Sequence, residues 1–138
     1  MTSQDDSPKS HMPERRSFAA HSTIFKEGDP ADCAYIIEVG QVQISKMVNG
    51  RRVQLGTRKT WEMFGELGLI DDNPRMATAI ASEDTICMVI SKGAMAQMMD
   101  EAPQGLNTVI YSLAHIVRSA GQELAEARYQ LLQRENPE

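Results

Sequence analysis

Phe64 to Ala79 reads FGELGLIDDNPRMATA, and the rest of the chain is read outward from it. Glu66 opens a short apolar turn, the acidic-polar loop Asp71-Asp72-Asn73 follows, and then come Pro74, Arg75 and small residues. Gly65 carries no Cβ, so backbone can approach a ligand closely there. The turn opened by Glu66 offers N–H groups to an anion. Arg75 supplies a planar fork for phosphate oxygens. A carboxylate does not favour an anion, so Glu66 is assigned to accept hydrogen bonds from ligand hydroxyls. Together these suit one singly charged, hydroxyl-bearing sugar phosphate.

The flanks of this stretch read as short strands with turn residues between them. Ser22 to Lys26 predicts a strand closing at Glu27-Gly28-Asp29-Pro30, and Tyr35 to Val39 a second one broken at Gly40. Gln41 to Ser45 alternates strictly, which places Val42 and Ile44 inward. Asn49-Gly50 is the favoured hairpin dipeptide and returns the chain into Arg52 to Leu55. Ala77 to Ala81 and Thr85 to Ile90 complete the set, so the expected fold is mainly β, an antiparallel sandwich or barrel.

The last third is helical. Ser91 is read as an N-cap ahead of Ala94, Met95, Met98 and Met99, whose face is assigned to core or interface packing. Pro103 suits the first turn of a further helix. In it Leu106, Ile110, Leu113, Val117, Ala120, Leu124, Ala127 and Leu131 step by fours and threes, the 3.5-residue repeat of a coiled coil. The final turns are expected to overshoot a small β domain, which favours a parallel homodimer over a helix lying on its own domain.

Composition narrows the function classes. The chain has 138 residues, enough for one core, and a formal net charge of -5. No basic stripe for nucleic acid is present, and Arg51-Arg52 and Arg58-Lys59 are read as solvated loop charges. No apolar run is long enough to cross a membrane and the start is no signal peptide, so a cytoplasmic location is expected. Cys87 is expected buried and inert, Cys33 partly exposed. His11, His21 and His115 form no metal-ligand pattern, and no Ser or Cys stands in a nucleophile elbow, so neither metal nor catalysis is expected.

The spacing F-G-E-L-x-L, four residues, then P-R-x-A-T resembles the phosphate-binding cassette of cyclic nucleotide-binding domains. That family includes the regulatory subunits of protein kinase A, gated ion channels and the bacterial catabolite activator protein. The similarity runs from about Thr23 to Leu131 and includes Ile24 to Asp29 and Ala34 to Val42. It implies an antiparallel β-roll (jelly-roll-like) followed by C-terminal helices. The expected division is a disordered tail at 1–16, a roll at 17–90 and helices at 91–138. Relatives carry a helix before the first strand; no helical period marks one here. They also place a glycine shortly before F-G-E, where this chain has Trp61, expected to pack over the roll.

Residue by residue, the resemblance implies that Glu66 binds the ribose 2′-hydroxyl and Arg75 the cyclic phosphate. Backbone amides of Gly65, Gly68, Met76 and Ala77 are implied further contacts, with Leu67 and Pro74 completing the segment. Gly68 stands where alanine is common. Met76 stands where guanine-selective relatives place a threonine, which points to cyclic AMP over cyclic GMP. Ala120-Gly121 falls where dimeric relatives offer hydroxyls to the base; Gly121 is retained either for close approach or without consequence. The resulting expectation is a cyclic AMP sensor, signalling through its helices or its Met1 to Arg16 tail to an unidentified effector protein. The alternative is a degenerate fold that serves as a dimerisation module without ligand. A DNA-reading helix-turn-helix would have to follow the long helix; with the chain ending at Glu138, a complete small protein that binds no nucleic acid is expected, whereas in a fragment a transcription factor of the activator family or a channel's gating domain returns as a reading.

Overall fold

A computed structural model describes residues 14–135. Eight strands come first or interleave with one short helix: β1 (Glu14–Phe18), β2 (Thr23–Phe25), β3 (Cys33–Val39), β4 (Val42–Val48), β5 (Arg51–Arg58), β6 (Met63–Phe64), α1 (Leu67–Asp71), β7 (Thr78–Ala81) and β8 (Thr85–Ser91). Two helices follow, α2 (Lys92–Glu101) and α3 (Gln104–Glu135). The strands form two four-stranded antiparallel sheets, ordered β1-β8-β3-β6 and β2-β7-β4-β5. This is the expected β-roll. Glu14 to Arg16, assigned to a tail by composition, instead form most of β1, which pairs with β8; the rest of that tail, and the helix looked for there, lie outside the described residues.

The inner faces of the two sheets meet in one core around Tyr35, Ile37, Val42, Phe64, Ala79, Cys87 and Val89. Its aromatic centre stacks Tyr35 on Phe64 at 5.2 Å between centroids, with Phe25 6.0 Å from Phe64. Val42 is fully buried and Ile44 packs on the same core, as the alternation predicts. Both cysteines are buried, so Cys33 is not the partly exposed thiol expected; burial pushes the Cys87 thiol up to about 11. Asn49 and Gly50 carry φ of 51° and 79°, the left-handed pair that a tight β4–β5 turn requires.

That hairpin is irregular in one respect. Ile44 pairs with Gly56, yet the next β4 residue, Ser45, pairs with Gln54, leaving Leu55 as an extra residue in β5. The bulge resets which β5 side chains face inward beyond it. Arg58 consequently stands opposite Val42, on the inner side of its sheet. Of the two basic pairs only Lys59 is an exposed loop charge; Arg51, Arg52 and Arg58 all belong to β5, where Arg51 donates to Gln133 at 2.9 Å and Arg52 to Ser45 Oγ at 2.8 Å.

Ser91 caps α2 by accepting from the Ala94 N–H at 3.0 Å. Met95 packs on Ala31, Ala34 and Leu69, whereas Met98 is exposed. Helix α3 lies along the second sheet, and its final turns do not overshoot: Ala125, Tyr129 and Leu132 pack on Val48, Val53 and Leu55. The docked face thus runs through Ala114, Arg118, Gly121, Ala125 and Tyr129, close to the 3.6-residue period of a helix lying on its own domain. The heptad stripe is a second, neighbouring face, with Leu106, Leu113, Val117 and Leu131 each about half exposed. Trp61 does not pack over the roll; it is 66% exposed, at φ 68°, in the turn before β6. Among the described residues no helix is long and apolar enough to cross a membrane.

Candidate functional site

Arg75 is held before anything else is asked of it. Its N–H donates to the Asp29 carbonyl at 2.8 Å and its carbonyl accepts from the Gly28 N–H at 2.9 Å. Its guanidinium then reaches inward over the Phe25 ring, 4.0 Å from the centroid. Nη1 donates to the Gly65 carbonyl and Nη2 to the Cys33 carbonyl, both at 2.7 Å. The nearest carboxylate is that of the largely exposed Asp32, at 3.6 Å. Arg75 is only 5% exposed, and its Nε–H is buried with no partner. A buried cation balanced mainly by two neutral carbonyls and a ring face is electrostatically short of an anion. An anionic oxygen at Nε would remove both deficits.

The cavity beside it measures about 240 Å³ and lies between the roll and α3. Its floor includes Phe25, Phe64 and Ile44, one side the Gly65 to Gly68 turn, and its far wall Val117, Ala120, Gly121 and Leu124 of α3. Gly65, Glu66, Leu67, Gly68, Arg75, Met76, Ala77 and Gly121, singled out from the sequence, all line this one space. Pro74 does not line it; its carbonyl instead accepts a long bond from Arg118 at 3.4 Å.

Gly65 is fixed twice over. Its φ is +80°, and a Cβ there would lie 2.7 Å from Arg75 Nη1 and 3.1 Å from Phe25. Gly68 is determined by space alone, since a side chain would strike Ala31 and come 2.7 Å from the Asn73 carbonyl. Helix α1 ends at Asp72, left-handed at φ 59°, whose N–H donates to the Gly68 carbonyl. Glu66 forms no ion pair with Arg75 among the described residues, so the two charges are not spent on each other. Burial pushes the Glu66 carboxyl above its ordinary value, and the charge of Arg58 is the foremost influence opposing that.

Arg58 is the polar residue that sequence reasoning missed. It lines the cavity together with Leu55 and Gly56 of β5, and only the bulge at Leu55, invisible in composition, turns it inward. Two links join this site to α3. Arg118 forms a two-pronged ion pair with Asp71, Nη2 to Oδ1 at 2.9 Å. The Met76 thioether lies against Gly121, where an added Cβ would strike its methyl. Gly121 is therefore tied to close approach. Lys46 holds the other side of Met76, donating to its carbonyl at 3.0 Å and to Glu27 at 2.8 Å. Among the described residues no group of His, Cys, Asp or Glu could hold a metal ion.

Comparison with known proteins bears on the same stretch. The profile described as cyclic nucleotide-binding domain matches residues 15–102. The cAMP-dependent protein kinase regulatory subunit of Aspergillus niger is 42% identical over 67 residues, 49% of this chain and 16% of that protein. The CRP-like cAMP-activated global transcriptional regulator of Mycobacterium tuberculosis is 29% identical over 110 residues, 79% of this chain and 49% of its own length. Among solved structures, the cAMP-bound form of the EAL enzyme Bd1971 superposes with a TM-score of 0.76 at 28% identity, covering 88% of this chain and 32% of that one. Its cGMP-bound form gives 0.73 at 30% identity, covering 76% and 28%. The chain thus spans about half or less of these relatives.

Proposed function

The chain belongs to the cyclic nucleotide-binding domain family, and from that premise we propose that it is a regulatory sensor for a cyclic nucleotide, preferentially cyclic AMP. The observation that carries this reading is the buried guanidinium of Arg75, a residue that lines the cavity and whose Nε–H has no partner. A cyclic phosphate supplies the missing anion, and Glu66 accepts from the ribose 2′-hydroxyl. The purine is then met by apolar Met76, Val117, Ala120 and Leu124. Met76 offers no hydroxyl to guanine, which supports adenine.

The domain itself performs no chemistry in this reading. Phosphate engagement draws the α1 segment toward the ligand, and the Asp71–Arg118 and Met76–Gly121 links carry that shift into α3. Only a difference in ligand affinity between two α3 arrangements can drive it. The exposed stripe from Leu106 to Leu131 supports a homodimer, with an effector protein receiving the signal.

Calorimetric titration with cyclic AMP and cyclic GMP tests the assignment on wild type and Arg75→Ala. Each charged hydrogen bond lost should cost about 1.5–3 kcal/mol, roughly tenfold or more in affinity. Binding unchanged in Arg75→Ala would refute the site; no binding by wild type would leave the fold as a ligand-free dimerisation module.

A further inference from the structure

Strict alternation along β5 from Val53 would turn Arg58 away from the core. The extra residue Leu55 reverses this, placing Arg58 opposite the fully buried Val42 and on the wall of the nucleotide cavity. Gly56 leaves room beside it, since a Cβ there would lie 3.4 Å from Arg58 Nη1. The guanidinium has no ion pair among the described residues. Its one side-chain hydrogen bond there, to the adjacent Thr57 carbonyl, is 3.4 Å long, marginal for an N–H donor. A half-buried cation in an otherwise mostly apolar chamber is thus left with nearly all its donors free for a ligand or for Glu66.

The charges lining the cavity are Arg58, Arg75 and Glu66. Two cations and one carboxylate leave a single net positive charge, which one cyclic phosphodiester neutralises. Without Arg58 the empty chamber would be neutral and the loaded one negative, in a setting where unbalanced charge is costly. Burial pushes Glu66 toward its protonated form, which no longer accepts through both oxygens, and Arg58 opposes that more strongly than Arg75 does.

We propose that Arg58 is a positioning residue for the nucleotide, holding Glu66 as a carboxylate facing the ribose 2′-hydroxyl. This inference rests on the cyclic-nucleotide reading of the same cavity. It separates Arg58 from a residue that merely shapes the roll, because its effect must depend on the hydroxyl that Glu66 receives.

The test titrates wild type, Arg58→Leu and Arg58→Lys with cyclic AMP and with 2′-deoxy cyclic AMP, alongside melting of each unliganded protein. Arg58→Leu should bind cyclic AMP about tenfold more weakly, a change worth about 1.4 kcal/mol. It should lose markedly less for the 2′-deoxy ligand, so the ribose preference of wild type shrinks. Arg58→Lys, which keeps the charge and is the safer variant for folding, should restore most of that preference. Equal losses for both ligands, or a lysine variant no better than leucine, would overturn the inference while leaving the site standing. Failure of wild type to bind cyclic AMP or cyclic GMP would instead overturn the reading beneath it, and this inference with it.

Discussion

The side chain of Met76 fills the notch that Gly121 leaves in α3, with its sulfur 3.7 Å from where a Cβ would stand. The residue immediately after Arg75 is thereby in direct contact with the long helix. Gly121→Ala sets two effects against each other. Alanine favours the helix by about 1 kcal/mol, while its methyl displaces the flexible end of Met76 into the cavity. The expected outcome is a melting temperature unchanged or raised, with weaker cyclic nucleotide binding. Calorimetry on Gly121→Ala and on Gly121→Ala with Met76→Ala checks it, since the second change should recover affinity.

Glu66 sets a pH dependence of binding. Burial raises its carboxyl pKa above the ordinary value, and the protonated form cannot accept from the 2′-hydroxyl through both oxygens. Affinity for cyclic AMP should therefore fall on acidification, beginning above the pH at which an ordinary glutamate titrates. Glu66→Gln should bind more weakly at neutral pH and show a flatter profile. Titrations across the acidic range in wild type and variant measure this.

Asp71 titrates in the opposite sense. Burial would raise its carboxyl, but the bonds from Arg118 and Asn73 outweigh that and hold it below its ordinary value. A depressed folded pKa contributes stability that is fully present above the unfolded value, about 3.9, and lost as pH falls through the folded one. Arg118→Gln should cost about 1 kcal/mol at neutral pH. The melting difference from wild type should close in strong acid, as circular dichroism melts would record.

Gly65→Ala tests the geometry beneath Arg75. Left-handed backbone costs a Cβ-bearing residue about 1–2 kcal/mol, and the new methyl would press on Arg75 Nη1 and Phe25. The expected result is a lower melting temperature together with cyclic nucleotide affinity reduced as far as in Arg75→Ala. Calorimetry and melting of the two variants side by side decide it.

The exposed stripe makes a hydrodynamic prediction. Leu113 is 55% exposed at its centre, so Leu113→Lys removes little from the domain's own packing. Sedimentation should show dimer in wild type and monomer in the variant, at an essentially unchanged monomer fold by circular dichroism.

What could be read from the sequence was what local backbone chemistry dictates. Gly65, Glu66 and Arg75 sit close along the chain, and φ +80° at Gly65 leaves little choice of residue; their meeting at one cavity was legible for that reason. Arg58 was not, because its direction depends on a register shift between β4 and β5 that no period reveals. Trp61 misled because hydrophobicity alone does not say whether a turn residue points inward. Helix α3 carries two adjacent faces, one docked and one exposed, and the stronger heptad pattern hid the docked face through Ala114 and Ala125. The docked residues are small or polar there, so their apolar signal is weak.

Val117 and Leu124 belong at once to the cavity wall and to the exposed stripe of α3. Whatever covers that stripe therefore touches residues that also line the cavity. Linkage then acts in both directions by the same factor: if nucleotide tightens the helix contact, the contact tightens nucleotide. An affinity measured on dilute protein and one measured on concentrated protein should differ, and the ratio between them would report the coupling energy directly, with no variant needed.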